Sequence, residues 1–456
     1  MLAESSSNST DTRDMPANQG GPEAAPVMTE TMSSGPESSA SRTGSFLAPL
    51  RIGNFRLLLA GQTVSRIGDQ FFSIAIPWLV LRTTSDPLAL ALVVGSSAAT
   101  MGLFTLVGGV LADRFGPRAL MLGSDASRLL IVAGLAALVL ITTPPLWSLV
   151  ALSALLGVGG GLFYPASFAM TPSLVPQNDL QPANSFEQLT QQISNVAGPG
   201  VAGVVLGTAR LALGFVIDAA SFAVSVLSLF LIRVKRRGVA GATEEKTQQT
   251  ESRGRQAGLG EAFRYLRRTP FLATLLGLSI VANFGVTGMF EVAVPLLLKQ
   301  FVGVERGPQA LGIVVSAFGL GSILGIVAAG VANRVRHKAL AGVLLFVPIA
   351  GLMAWMPFVG SVYGLAGIFC IAGLLLGASN VFFITVMQRF IPMELMGRMM
   401  AFMLMGSFVG GPLSIFAYGA AATIVPQLSW LFIGGGAIIA VVGAFALTNR
   451  LIWRAA

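Results

Sequence analysis

Twelve stretches of this chain are too long and too apolar to be ordinary segments of a soluble domain. They run over 55–81, 88–112, 118–141, 145–168, 183–207, 211–232, 271–298, 308–331, 338–358, 361–386, 397–421 and 428–450. Each has about the length needed to cross the roughly 30 Å hydrocarbon layer of a bilayer. In lipid the backbone must satisfy its own hydrogen bonds, and runs of this length do so as helices. The predicted fold class is an all-α polytopic membrane protein with twelve transmembrane helices. Pro77, Pro199, Pro295 and Pro412 fall inside runs, which membrane helices tolerate where neighbours re-satisfy the freed carbonyls.

The charges between the runs set the topology. One set of turns holds only Arg82, Arg210, Lys299 and Arg306, whereas the alternate set carries nearly all the remaining Lys and Arg. The positive-inside rule makes the second set cytoplasmic, together with both termini, in the cell (plasma) membrane. A net charge of +9 in a soluble protein would point to nucleic acid; with only 11% charged residues it reflects basic inner loops, and no nucleic-acid partner is predicted. The single cysteine, Cys370, and single histidine, His337, exclude an internal disulfide and a Cys or His metal cluster. No cofactor is expected. With no nucleophile–base set and no phosphate loop, an enzyme is disfavoured. Residues 1–45 are rich in Ser, Thr, Pro, Gly and Glu and lack the basic start and apolar core of a signal peptide. They read as a disordered cytoplasmic tail.

A basic cytoplasmic linker, 233–270, divides the runs into two six-helix bundles, 50–232 and 271–452, that echo one another. Pro77 matches Pro295, Pro87-Leu-Ala-Leu matches Pro308-Gln-Ala-Leu, and Gly198-Pro199 matches Gly411-Pro412. Gly109-Val-Leu-Ala-Asp113-Arg114-Phe-Gly116-Pro-Arg118 returns in degraded form around Asn333-Arg334. Such internal pseudo-symmetry marks secondary transporters, whose sites lie near mid-membrane between the repeats. One chain completes the pair, so a monomer embedded in lipid and handling a small-molecule substrate is expected.

These motifs resemble the major facilitator superfamily over essentially residues 50–452. Ser65-Arg66-Ile-Gly68-Asp69, Pro165-Ala166, Leu180 with Ala183-Asn184-Ser185, and Phe215 with Asp218, Ser221 and Phe222 extend the likeness to the drug:proton antiporter branch. That branch contains macrolide-efflux proteins and the enterobactin exporter. Pro117 departs from it, standing where many members have a second basic residue. The resemblance implies an alternating-access exporter of hydrophobic or amphipathic molecules, of drug or macrolide type, driven by inward proton flow. It also implies a conformational latch formed by Gly109, Asp113, Arg114, Gly116 and Arg118. In the latch, Asp113 meets a helix N-terminus of the other bundle and Arg114 meets a carboxylate. Asn333 in the second copy makes any latch asymmetric. The plainer reading of Asp113 is a helix cap.

Ionisable groups inside membrane spans are functional candidates by default. Asp69 lies near the centre of span 1, with Arg66 at the i,i+3 spacing that lets the two meet. They form either a neutral packing pair or a carboxylate that takes a proton or cationic cargo. Asp125 and Arg128 repeat the spacing in span 3 and read as an intramembrane ion pair. Glu187 is placed on the first turn of span 5, either complementing the helix dipole or facing the inner vestibule. Asp218 reads as a hydrogen-bonding group toward the outer end of span 6. Glu291 has no basic neighbour in its own helix, and desolvation favours the protonated form of such a carboxyl, as proton coupling requires. Gly198, Pro199, Gly203, Gly411 and Pro412 are assigned to helix packing. Phe71, Phe72, Trp78, Phe284, Phe290, Phe382, Phe383, Asn283, Asn380 and Gln388 are candidates for the cargo wall. Two rival functions stay open: export of an endogenous metabolite such as a siderophore, which calls for Arg66 or Arg128 to face the cavity, and a non-transporting receptor or scaffold.

Overall fold

The computed structural model describes residues 46–208, 210–233, 267, 270–331, 337–391 and 393–448. The tail 1–45, most of the linker 233–270, and Asn333 and Arg334 of the second motif copy lie outside the described residues. Twelve helical rods are formed among those that remain. They are α1 (Gly53–Thr83), α2 (Pro87–Phe115), α3 (Pro117–Ile141), α4 (Leu146–Leu174), α5 (Leu180–Thr208) and α6 (Leu211–Leu231). The second set begins with α7 (Pro270–Gly288, a π-helical turn Met289–Ala293, then Val294–Val302) and α8 (Gly307–Val331). It continues with α9 (Lys338–Leu344 and Phe346–Trp355), α10 (Val362–Phe390), α11 (Met393–Ile424) and α12 (Ser429–Thr448).

Turn chemistry follows the sequence. Pro87 starts α2 and the Leu88 amide donates to Asp86 Oδ1 at 2.9 Å, so the aspartate caps the helix. A single residue, Gly116, joins α2 to α3 at φ +84°, a conformation open to glycine and costly to other residues. Asp113 therefore caps nothing. It lies in the last turn of α2, where the exposed carbonyl end of a helix disfavours an acid.

Ten of the rods hold an 18-residue window apolar enough to cross a membrane; α1 and α5 are the two that do not. Both devote one face to polar groups. On α1 this face is Gln62, Arg66, Asp69 and Gln70, and on α5 it is Asn184, Glu187, Gln188 and Gln191, the spacing of one helix stripe.

The first and last six helices meet along two seams, α5 against α8 and α2 against α11. On the first seam Gly203 and Gly312 touch backbone to backbone, and Gly207 lies against Gln309. On the second, Gly95 receives the Phe416 ring and Gly102 the Phe408 backbone. At the end carrying the 84–86 turn, Trp78 is fully buried against Gly307. There Arg82 pairs with Glu305 at 3.2 Å, and Lys299 donates to the Leu81 carbonyl at 3.4 Å.

A side chain at Gly312 would collide with the Pro199 carbonyl and the Gly203 backbone. In a Cys370→Ala background, Gly207→Cys with Gln309→Cys should cross-link readily on oxidation. Adding Gly312→Leu should sharply reduce that cross-link, because α5 and α8 can no longer close.

Candidate functional site

The site is built around Arg128 on α3. Its Nη2 donates to Asp69 Oδ1 of α1 at 2.7 Å, and its Nη1 donates to Asp125 Oδ1 at 3.5 Å. The guanidinium also sits 4.1 Å from the Phe222 ring centroid on α6, a cation–π contact. Asp125 is wholly buried, and its other oxygen accepts from Ser225 of α6 at 2.5 Å. Asp218, 1% exposed, lines the same cavity as Asp69 and Arg128, and the Ser221 hydroxyl, which donates to the Asp218 backbone carbonyl at 2.7 Å, lies 3.5 Å from its carboxylate. Gly68 permits this closeness, since any side chain there would strike Ser221 and Asp218. Three carboxyls from α1, α3 and α6 thus gather around one guanidinium.

This arrangement corrects the expected pairing. The ion-pair partner of Asp69 is Arg128 on another helix, not Arg66 one turn away. Arg66 instead donates to Gln62 at 2.9 Å and to Thr190 of α5 at 3.2 Å. The reason is placement: Arg66 lies on the side of α1 that packs on α5, where those acceptors are within reach. The Asp125–Arg128 pair exists, but it joins the Asp69 site rather than standing apart from it. Asp218, expected toward the outer end, likewise lies at the cluster.

Two cavities meet at Asp69, Met101, Arg128 and Gly160. One, of about 610 Å³, runs past Arg66, Tyr164 and Glu187 to exposed Asn184 and Gln188, toward the end that carries the Gly116 turn. Glu187 is the eighth residue of α5, because the helix starts at Leu180 and not at the predicted 183. It lies beyond the first turn, where the helix dipole acts, and accepts a hydrogen bond from Thr171 of α4. The other cavity, of about 520 Å³, lies between the two sets of helices. Asp69 and Phe72 line it from one side, and Asn283, Thr287 and Glu291 from the other, with Gly411 and Pro412 of α11 also in its wall.

Glu291 sits at the centre of the π-helical turn of α7. The cause of that turn lies on α11. The Ser414 hydroxyl accepts from the Gly288 amide at 2.8 Å and donates to the Phe284 carbonyl, so it stands inside a broken i→i−4 step. Tyr418 donates to the next carbonyl, Gly285, at 2.9 Å. Wide turns of this kind recur at functional sites. Neither Ser414 nor Tyr418 carries a sequence signal for this role, because the hydroxyls arrive from more than 120 residues away.

Other candidates separate cleanly. Phe72 lines the central cavity, whereas Phe71 and Phe382 are buried in the core and Trp78 belongs to the closed seam. Phe290 packs on Phe318 and Phe369, and Gln388 is exposed. Asp113 and Arg114 are exposed and form no hydrogen bond or ion pair among the described residues. Arg118, expected in the latch, instead donates to the Leu229 and Phe230 carbonyls at 2.9 and 2.8 Å. It thereby satisfies carbonyls at the end of α6 that the helix leaves open. Tyr164, stacked edge-on against Phe168, was not anticipated from the sequence.

Comparison with known proteins is consistent in outline. The sequence profile of the Major Facilitator Superfamily matches residues 58–415. The multidrug efflux pump Tap of Mycolicibacterium fortuitum is 25% identical over 376 residues, covering 81% of this chain and 89% of that protein. The enterobactin exporter EntS of Salmonella typhi is 25% identical over 356 residues, covering 76% and 80%. A bacterial homolog of the human lysosomal transporter Spinster, solved in an inward-facing and occupied conformation, superposes with a TM-score of 0.66 at 14% identity, covering 90% of this chain and 98% of that one. The D-xylose–proton symporter gives a TM-score of 0.63 at 14% identity, covering 88% and 97%.

Arg128→Met should leave the buried Asp125 carboxylate without its ion-pair partner and cost about 3–5 kcal/mol, read by thermal melting of the purified protein. Adding Asp125→Asn should restore part of that loss. Ser414→Ala removes the bridge between Gly288 and Phe284 and should cost about 1–3 kcal/mol in the same assay, with Ser414→Thr retaining most of the stability.

Proposed function

The chain belongs to the Major Facilitator Superfamily, a multi-pass membrane transporter, and we propose that it exports hydrophobic or amphipathic small molecules in exchange for protons. The observation that carries this reading is the Asp69–Arg128 pair facing the cavity between the two sets of helices. Mid-membrane charge is expensive and is retained where it binds ions or cargo. Similarity to Tap and EntS, both named for outward transport, favours export.

The proposed cycle uses groups already described. With the basic turns cytoplasmic, access to the 610 Å³ cavity from the Gly116 end corresponds to an inward-facing state. Cargo enters beside Asp69 and Glu187. Rocking of 50–232 against 271–452 separates the Trp78–Gly307 and Gly203–Gly312 contacts and opens the opposite side. Protonation of Asp69 or Glu291 there removes the charge that held the cargo and releases it. Deprotonation toward the cytoplasm resets the site. Asp113 and Arg114, exposed in this state, are assigned to a latch that engages only when the inner end closes. That role accounts for an acid at the unfavourable end of α2.

One observation favours a second reading, export of an anionic metabolite such as a siderophore. Arg66 lines the cavity and hydrogen-bonds only to the neutral Gln62 and Thr190 among the described residues, so an anionic cargo would compete with the Glu187 and Asp69 carboxylates for its charge.

Ethidium efflux from cells, with and without a proton gradient, tests both. Gradient-dependent efflux that is lost in Asp69→Asn supports the drug-exchange reading. Efflux unchanged in Asp69→Asn but lost in Glu291→Gln moves the coupling site to α7. No ethidium efflux, together with catecholate efflux lost in Arg66→Ala, replaces the first reading with the second.

A further inference from the structure

The two sides of the central cavity differ in chemistry. The wall from α1, α3 and α6 contributes Asp69, Arg128 and Asp218, whereas from α7 and α11 the one ionisable lining side chain among the described residues is Glu291. Behind that second wall lies a separate cavity of about 330 Å³, lined entirely by residues of α7 to α10 and α12. No ionisable side chain lines it among the described residues. Its polar lining is Asn283, Asn380, Ser322 and Ser379, and its aromatic lining is Phe346 and Phe383. Asn283 also lines the central cavity and so stands between the two spaces.

The hydrogen bonds already formed in the lining narrow what fits. Asn283 Oδ1 already accepts from Thr287 at 3.1 Å, which leaves its amide N–H groups to donate. Ser379 spends its hydroxyl proton on the Gly342 carbonyl at 3.1 Å. Asn380 and Ser322 form no side-chain hydrogen bond among the described residues and keep full donor and acceptor capacity. The volume is at the lower limit of pockets that hold whole drug-sized ligands, so it suits part of a larger molecule. Two phenylalanine rings favour an aromatic part with offset or edge-on stacking.

We propose that this cavity is an uncharged cargo subsite. It takes the aromatic, carbonyl-, amide- or amine-bearing end of an amphipathic cation whose charged end lies between Asp69 and Glu291. The proposal rests on the drug-exchange reading above and adds to it a division of labour. The first set of helices, with Glu291, reads charge, and the pocket behind α7 reads shape and neutral polarity. Phe383 and Asn380 are then specificity-determining residues for the neutral end, with no part in proton exchange.

The test measures binding to the purified full chain of ethidium, whose cationic phenanthridinium ring carries a neutral phenyl end, by fluorescence anisotropy. Tetramethylammonium, a cation with no aromatic end, serves as competitor. Phe383→Ala should raise the ethidium Kd about five- to twentyfold and leave the competition constant of tetramethylammonium unchanged. Asn380→Ala, at an exposed position where folding is not at stake, should raise the ethidium Kd in the same direction by a smaller factor. Asp69→Asn should weaken both probes. An ethidium Kd unchanged in both Phe383→Ala and Asn380→Ala overturns the subsite while leaving the drug-exchange reading standing. Equal weakening of both probes in a melting-competent Phe383→Ala also overturns it, because the pocket then does not distinguish the two ends. Absence of ethidium binding by folded wild type overturns the drug-exchange reading, and the subsite with it.

Discussion

A guanidinium held away from water must be neutralised where it sits, and Arg128 is the point at which α1, α3 and α6 are joined. Desolvating a charge costs several kcal/mol unless partners replace the lost water. Here the partners come from different helices: Asp69 on α1, Asp125 on α3 itself and the Phe222 face on α6. The cluster therefore ties three rods together at one depth. It is also asymmetric. Asp125 has no exposed side-chain surface, whereas Asp69 keeps 39% of its side chain exposed, open to the cavity. One guanidinium thus bridges a carboxylate that faces the cavity and one that is sealed from it.

The same economy links the cavities to the seams. The first half of α5 carries Asn184, Glu187 and Gln191 into the cavity, while its second half carries Gly203 and Gly207 onto α8. One helix therefore forms both a cavity wall and the seam, with Pro199 between the two parts. On the opposite side, α11 packs Phe408 and Phe416 against α2 and lends Ser414 and Tyr418 to α7. The turn that presents Glu291 is thus held by the helix that forms the second seam.

Much of this was legible in the sequence because it is local. Helix length, the alternation of basic and non-basic turns, and the Gly116 turn depend on residues within a few positions of one another. Hydropathy alone undervalues α1 and α5, since a polar stripe lowers their average; their place in the repeat and their periodicity recover them. The i,i+3 rule found Asp125–Arg128 but also suggested Arg66–Asp69, because spacing reports which residues can meet on one helix and not which neighbours compete for them. Glu187 was placed on the wrong turn for a similar reason, as the polar start of α5 hid where the helix begins.

The sequence by itself determined that this chain crosses a membrane many times, that its two sets of helices are related, and which few charges fall within the apolar runs. These are consequences of apolar length, repeat and the high cost of burying charge, all of which can be read along one strand of text. Tertiary structure alone decided that Asp69 belongs to Arg128, 59 residues away, that Ser414 opens a turn in α7 across 126 residues, and that an uncharged pocket lies behind Asn283. Those features depend on which helix faces come together, and side-chain partners brought from distant helices leave no periodic trace in the sequence.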